Sequence, residues 1–291
     1  MRKAIPLVLV LTLVWGTMWP LFAIAVREVS VWTFRAVCLV GSGLALLAIA
    51  RARGESLRIA RAHWGTLVAA SLTYLVVWNI TSTYAAILIP SGQAAILGFT
   101  MPLWAALMAW AFMGQRPTGR VLLALAIGGL GVALLIVNGI DAYAKAPLGF
   151  SMGLLAGLGW AAGTVILKRR PVPGSPLVLT GWQLLVAAMP LTIGAFAFAE
   201  GPWFMPSTTT LVVIAYITLV PMAVGNAAWF AIVGLLPGNV AGLSSVMVPV
   251  VAMVSGAIIH QEPLGPVQWA SMVCCAAGLA LALIKPAEAR R

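Results

Sequence analysis

Long, uninterrupted apolar runs alternate with short polar punctuation along this chain. The runs last about twenty residues, the length at which an α-helix crosses about 30 Å of hydrocarbon. Ten such spans can be drawn: residues 4–26, 31–50, 64–86, 91–113, 120–138, 148–168, 177–199, 210–234, 238–260 and 266–284. Charged or Pro/Gly-bearing segments separate most of them, such as residues 51–63, Gly114-Gln115-Arg116-Pro117, 168–173 and 260–266. A transmembrane β-barrel would instead alternate apolar and polar positions within short segments. The pattern predicts an all-α integral membrane protein with no soluble domain left over. The first run follows Arg2 and Lys3 and contains Ala23-Ile24-Ala25, as a signal peptide would. It is longer than the about 7–15 residues of a signal-peptide core, so it is expected to remain as the first span.

Composition sharpens the exclusion. The 291 residues are 62% hydrophobic and 8% charged, with mean hydropathy +1.06. A soluble domain carries about 25% charged residues, and disorder needs low hydrophobicity. The net charge of +11 would suggest nucleic acid in a soluble protein; in a membrane chain it reports loop sidedness, and no nucleic-acid partner is expected. Ten spans put both termini on one side. That side collects Arg2, Lys3, Arg51, Arg53, Arg58, Arg61, Arg116, Arg120, Lys168, Arg169, Arg170, Lys285, Arg290 and Arg291, whereas Arg27 and Lys145 fall on the other. The asymmetry predicts cytoplasmic termini. Cys38, Cys274 and Cys275 all lie within spans, an odd count without ligand spacing, so neither a disulfide framework nor a metal or cofactor site is expected.

The two halves align at an offset of 147: Thr33 falls on Thr180, Asn79 on Asn226, Pro90 on Pro237, Pro102 on Pro249 and Gly131 on Gly278. With one residue deleted, Gln115-Arg116-Pro117 meets Gln261-Glu262-Pro263. The expected units are residues 1–143 and 144–291, five spans each. An odd number of spans forces the second copy into the membrane upside down. The charges agree, since Arg116 marks a cytoplasmic turn and the matching turn carries Glu262. Inverted-topology repeats are a recurring architecture of secondary transporters, with substrate bound near the midplane between them.

Two five-span repeats, Trp15-Gly16 in the first span, a mid-span proline in the fourth and the turn that follows it together resemble the drug/metabolite transporter superfamily. The likeness covers essentially the whole chain and falls within the ten-helix EamA-type branch. It implies export of small metabolites across a bacterial-type inner membrane; the Trp-rich interior is most similar to the aromatic amino-acid exporters. The chain departs from the small four-helix multidrug members, which use a Glu embedded in the first helix. Here the first span has no acid and Glu28 sits at its far end, so the resemblance does not carry over cation–proton exchange of that kind.

Polar groups inside hydrocarbon are costly and are functional candidates by default. The interior ones are Arg35, Tyr74, Asn79, Gln183, Tyr216 and Asn226, with no Asp, Glu or His deep in any span. The missing titratable relay argues for facilitated diffusion, or for coupling by a route that no titratable residue in the spans marks. The repeat-related Asn79 and Asn226 can bind a zwitterion's carboxylate and ammonium around a midplane cavity; equally, they can bridge helices. Arg35, about one turn into the second span, can hold a carboxylate. The simpler reading has it snorkel outward or pair with Glu28. Of twelve Trp, Trp32, Trp64, Trp203 and Trp269 fit an interfacial belt. Trp15, Trp78, Trp104, Trp160, Trp182 and Trp229 lie deeper, where indole faces attract aromatic rings and ammonium groups. The candidate cavity is Asn79, Asn226, Trp78, Tyr74, Trp15, Trp160, Trp182, Gln183, Trp229 and Arg35. Pro102 and Pro249 are hinge candidates. Gly153-x-x-x-Gly157, Gly159-x-x-x-Gly163 and Gly238-x-x-x-Gly242 suit close helix packing.

A carrier is thus the expected function, exporting a zwitterionic or neutral small molecule, amino acids foremost, by alternating access. An enzyme would need an acid/base pair, an activated nucleophile or a metal cluster, which the spans do not supply. The alternatives are a channel, or an exporter of amphipathic drugs or other metabolites. Whether a homodimer forms is left open.

Overall fold

The computed structural model describes residues 4–89, 91–198, 205–236, 245–261 and 264–283. The described residues hold helices and no strands. The helices are α1 (Ala4–Ala25), α2 (Val31–Ala52), α3 (Arg61–Leu88), α4 (Ser91–Gly98), α5 (Met101–Met113) and α6 (Gly119–Asn138). They continue with the short α7 (Ile140–Lys145), then α8 (Pro147–Arg169), α9 (Pro176–Phe198), α10 (Thr208–Leu235), α11 (Val248–His260) and α12 (Pro266–Leu283). Among the described residues, eight stretches are long and apolar enough to cross a membrane: α1, α2, α3, Gln93–Met113 across α4 and α5, α6, α8, α9 and α10. Val248–Ile259 is a shorter apolar stretch. The expected span 238–260 begins in residues outside the described ones, as do Pro90, Pro237, Gly238, Gly242, Glu262 and Trp203.

Local chemistry explains where helices start and stop. The side chains of Ser30, Thr118 and Ser207 accept from the backbone N–H of Thr33, Val121 and Thr210, satisfying an orphan donor at each N-terminus. Helix α5 ends on Gly114 (φ 64°) and α11 on Gln261 (φ 58°), left-handed caps that release the chain from the helix. These two positions are related by the offset of 147.

The helix pairing is unchanged when the halves are exchanged. Helix α2 packs on α9 and α6 on α12; α3 packs on α8 as α10 does on α1; α4 and α5 pack on α8 as α11 does on α1. Glycines set several approaches. A Cβ at Gly131 would lie 2.9 Å from the Ser271 carbonyl, and one at the equivalent Gly278 would lie 2.8 Å from the Ala124 carbonyl. The α6–α12 crossing therefore closes on bare backbone. Ser271 adds a hydroxyl bond of 2.7 Å to the Gly131 carbonyl. Along α8, Gly153 abuts Leu97, Gly157 the Gly98 carbonyl, Gly159 Val77 and Gly163 the Tyr74 ring. Gly16 lets α1 reach Val251 of α11, which gives the Trp15-Gly16 pair a structural reason.

Large apolar side chains face outward, among them Leu13, Leu107, Leu130, Ile193 and Phe196. Arg35, Asn79, Gln183 and Asn226 are buried. The interior is itself mostly apolar, and the few polar groups within the spans face it and not the lipid, as hydrocarbon demands.

The two hinge candidates lie at helix starts and not inside helices. Pro102 and Pro249 both stand in the first turn of their helices, where a missing N–H costs nothing. The fourth span is already broken at Phe99-Thr100, and Pro102 opens its second half. Prolines inside helices are Pro20, Pro190 and Pro221.

Candidate functional site

Helices α3 and α10 each widen into a π-helical stretch, Leu72–Val76 and Thr218–Gly225, at positions that overlap under the offset of 147. Such widened turns frequently mark functional sites. Asn226 follows its stretch directly, and Asn79 comes three residues after its own. Asn79 donates from Nδ2 to the Leu75 carbonyl at 2.8 Å, and Asn226 donates to the Met222 carbonyl at 2.7 Å, again the same bond at equivalent positions. Both residues are buried, and among the described residues both Oδ1 atoms lack a hydrogen-bond partner. The amides therefore do not bridge helices to each other. Each leaves one acceptor free inside the bundle, an arrangement that costs about 1–3 kcal/mol apiece unless something else supplies the donor.

An aromatic cluster fills the space between the halves. Trp160 of α8 lies edge-on to Trp15 at 5.1 Å, Trp78 at 4.9 Å and Tyr74 at 5.3 Å, and 5.8 Å from Trp229. Trp15 packs 5.7 Å from Trp229. Four indoles from α1, α3, α8 and α10 thus meet at one place, all buried. Glycines make the room: a Cβ on Gly225 would fall 2.4 Å from the Trp15 Nε1, and one on Gly98 would fall 3.2 Å from the Trp78 ring. The Trp15 Nε1 donates to the Pro221 carbonyl at 3.1 Å, inside the π-helical stretch. The Trp160 Nε1 has no partner, although a buried indole N–H usually finds one. Tyr74 donates its hydroxyl to Gln183 Oε1, which ties α3 to α9.

Six of the ten expected cavity residues therefore form one connected group: Tyr74, Gln183, Trp15, Trp78, Trp160 and Trp229. Asn79 and Asn226 are buried on the same two helices as Trp78 and Trp229, bonded within their own helices. Trp182 stands apart. It faces the α2–α3 connection, donating to the Leu57 carbonyl at 2.9 Å and packing 5.3 Å from Trp64. Arg35 corrects the outward-snorkelling expectation: it is 1% exposed, directed inward. Its expected partner Glu28 instead accepts from the Ser207 backbone N–H at 2.6 Å and the Ser207 hydroxyl at 2.9 Å. Those bonds favour the ionised carboxylate and hold the Glu28 pKa below its ordinary value. Trp104 is partly buried and bonds to Thr100 Oγ1 at 3.2 Å.

Sequence reasoning missed Trp19 and Phe99. Trp19 is fully buried, 6.0 Å from both Trp78 and Phe99, with its Nε1 unpaired. The available signal was its i+4 spacing from Trp15, which puts both on one face of α1. Phe99 lies 5.7 Å from Trp78 at the break in the fourth span.

Two segments match one family model in succession: residues 2–137 and 147–284 each match the EamA-like transporter family. This chain belongs to that family. It is an all-helical, multi-pass transporter of the bacterial inner-membrane type. It is similar to the uncharacterized transporter YvbV of Bacillus subtilis, at 23% identity over 257 residues, covering 87% of this chain and 83% of the relative. It is 25% identical over 201 residues to the probable amino-acid metabolite efflux pump of Escherichia coli K12, covering 65% of this chain and 66% of the relative. The uncharacterized inner membrane transporter YedA of the same strain is 23% identical over 278 residues, 93% of this chain and 88% of the relative. A solved crystal structure aligns with a TM-score of 0.80 at 18% identity, covering 97% of each chain, which is a likeness of fold.

Proposed function

We propose that this EamA-like transporter is a secondary carrier that exports small metabolites, foremost amino acids with aromatic or other neutral side chains, by alternating access. Its units are residues 1–143 and 144–291, two inverted five-helix repeats that make ten crossings with both termini in the cytoplasm. The observation that carries the reading is the repeat-related pair Asn79 and Asn226, each with a free buried acceptor, beside a cluster of four indoles. Free amide oxygens suit an ammonium, and indole faces suit both an aromatic side chain and a cation. The name of the Escherichia coli efflux pump adds support for amino-acid export. Helix pairing that survives exchange of the halves supports two interconvertible shapes.

Transport of this kind saturates and exchanges. Proteoliposomes of the purified chain, loaded with unlabelled amino acids one at a time, are expected to accumulate labelled tryptophan by counterflow, without an imposed pH gradient. Flux that never saturates, or that shows no counterflow for any amino acid, would refute the amino-acid carrier reading.

A further inference from the structure

Arg35 is the one described charge enclosed by the bundle. Its guanidinium lies 4.1 Å from the Phe22 ring centroid and 5.0 Å from that of Phe34. Its Nε donates to Thr83 Oγ1 at 2.6 Å, and Thr83 in turn donates to the Asn79 carbonyl at 2.7 Å. The two terminal nitrogens, Nη1 and Nη2, are buried without a hydrogen-bond partner among the described residues. The group is held on two aromatic neighbours and by one edge, while the fork of two nitrogens at its far end makes no hydrogen bond among the described residues.

A guanidinium remains charged at any working pH. Enclosing a charge without a counter-ion is strongly unfavourable, and the described acidic residues lie elsewhere. Glu28 is bonded to Ser207, Glu55 lies in the α2–α3 connection, and Asp141 lies in the short α7. What the fork fits is a planar anion taken bidentately. Thr83 is one turn beyond Asn79 on α3, about 6 Å along the axis, and its hydroxyl joins the guanidinium to the Asn79 backbone. Trp19, with its unpaired Nε1, packs 5.5 Å from Phe22 and 6.0 Å from Trp78, linking the guanidinium to the indole cluster.

We infer that Arg35 is the carboxylate subsite of the carrier, selecting substrates that bear a carboxylate and placing it one helical turn from the Asn79 amide. This rests on the carrier reading above and adds to it the anionic group that the substrate must carry.

Three probes share one indole and separate its charges: tryptophan, tryptamine without the carboxylate, and indole-3-propionate without the ammonium. With the wild-type chain, indole-3-propionate is expected to compete in tryptophan counterflow and to raise the melting temperature, and tryptamine to do neither at the same concentration. Arg35→Lys keeps a charge but loses the fork, and indole-3-propionate should compete about 10-fold more weakly. Arg35→Met keeps volume without charge, and competition should weaken at least about 100-fold. Removing an unpaired buried charge should also let Arg35→Met melt several degrees above ligand-free wild type. A merely structural arginine predicts the reverse: a lower melting point and unchanged ranking of the probes. That result overturns the subsite. Counterflow driven equally by tryptamine overturns it too, while leaving the carrier intact. If wild type carries none of the three, the aromatic amino-acid reading fails. The subsite is then judged by melting with propionate and hexanoate: stabilisation of wild type but not of Arg35→Met supports it, and no stabilisation overturns it.

Discussion

Truncating the paired amides separates a binding role from a packing role, because the structure makes the two disagree. In Asn79→Ala the lost Nδ2 bond to Leu75 is worth about 0.5–1.5 kcal/mol net. Against that, the variant removes a buried, unpaired Oδ1, which costs about 1–3 kcal/mol while it stays unpaired. The small void left behind adds a penalty of its own. These contributions nearly cancel, so stability should stay within about 1 kcal/mol of wild type, and the same holds for Asn226→Ala. Binding does not cancel. A hydrogen bond from a substrate ammonium to either Oδ1 is charge-assisted, worth about 1.5–3 kcal/mol, which is about 10- to 150-fold in affinity. The assay is the concentration dependence of initial counterflow, with melting measured on the same preparations. A KM within about twofold of wild type in both single variants would refute the reasoning. So would a large fall in melting temperature without a change in KM.

Two further outcomes test the packing and the electrostatics. Gly225→Ala places a Cβ 2.4 Å from the Trp15 Nε1 and should cost about 1–3 kcal/mol by overpacking. Gly65→Ala, whose Cβ would meet nothing within 4 Å, should be neutral or stabilising by about 0.5–1 kcal/mol; melting curves of the pair check the contrast. Glu28 has its folded pKa lowered by the Ser207 bonds. Its contribution is therefore present above the unfolded pKa and lost as pH falls through the lowered folded value. Glu28→Gln should flatten the acid limb of a melting profile taken from about pH 6 to about pH 3, and an unchanged profile would refute that coupling.

Much was legible along the chain because the bilayer imposes simple demands. Unbroken apolar runs of about twenty residues leave a helical bundle as the solution. Eight of the ten drawn spans coincide with helices long enough to cross. The offset of 147 singled out Asn79 and Asn226 before any geometry, since a polar amide repeated at one register stands out against apolar surroundings. What the chain could not disclose was which face of each helix points inward. In a soluble helix, polar residues mark the wet side. Here lipid and interior are both apolar, so that contrast is missing. For this reason Trp19 went unnoticed, Trp182 was grouped with indoles it does not touch, and Arg35 was expected to reach outward. Only the packed bundle decided these. It widened α3 and α10 by π-helical turns beside the two asparagines, and it closed the remaining helices on glycines. It also left a handful of buried polar atoms with nothing of the protein's own to bind.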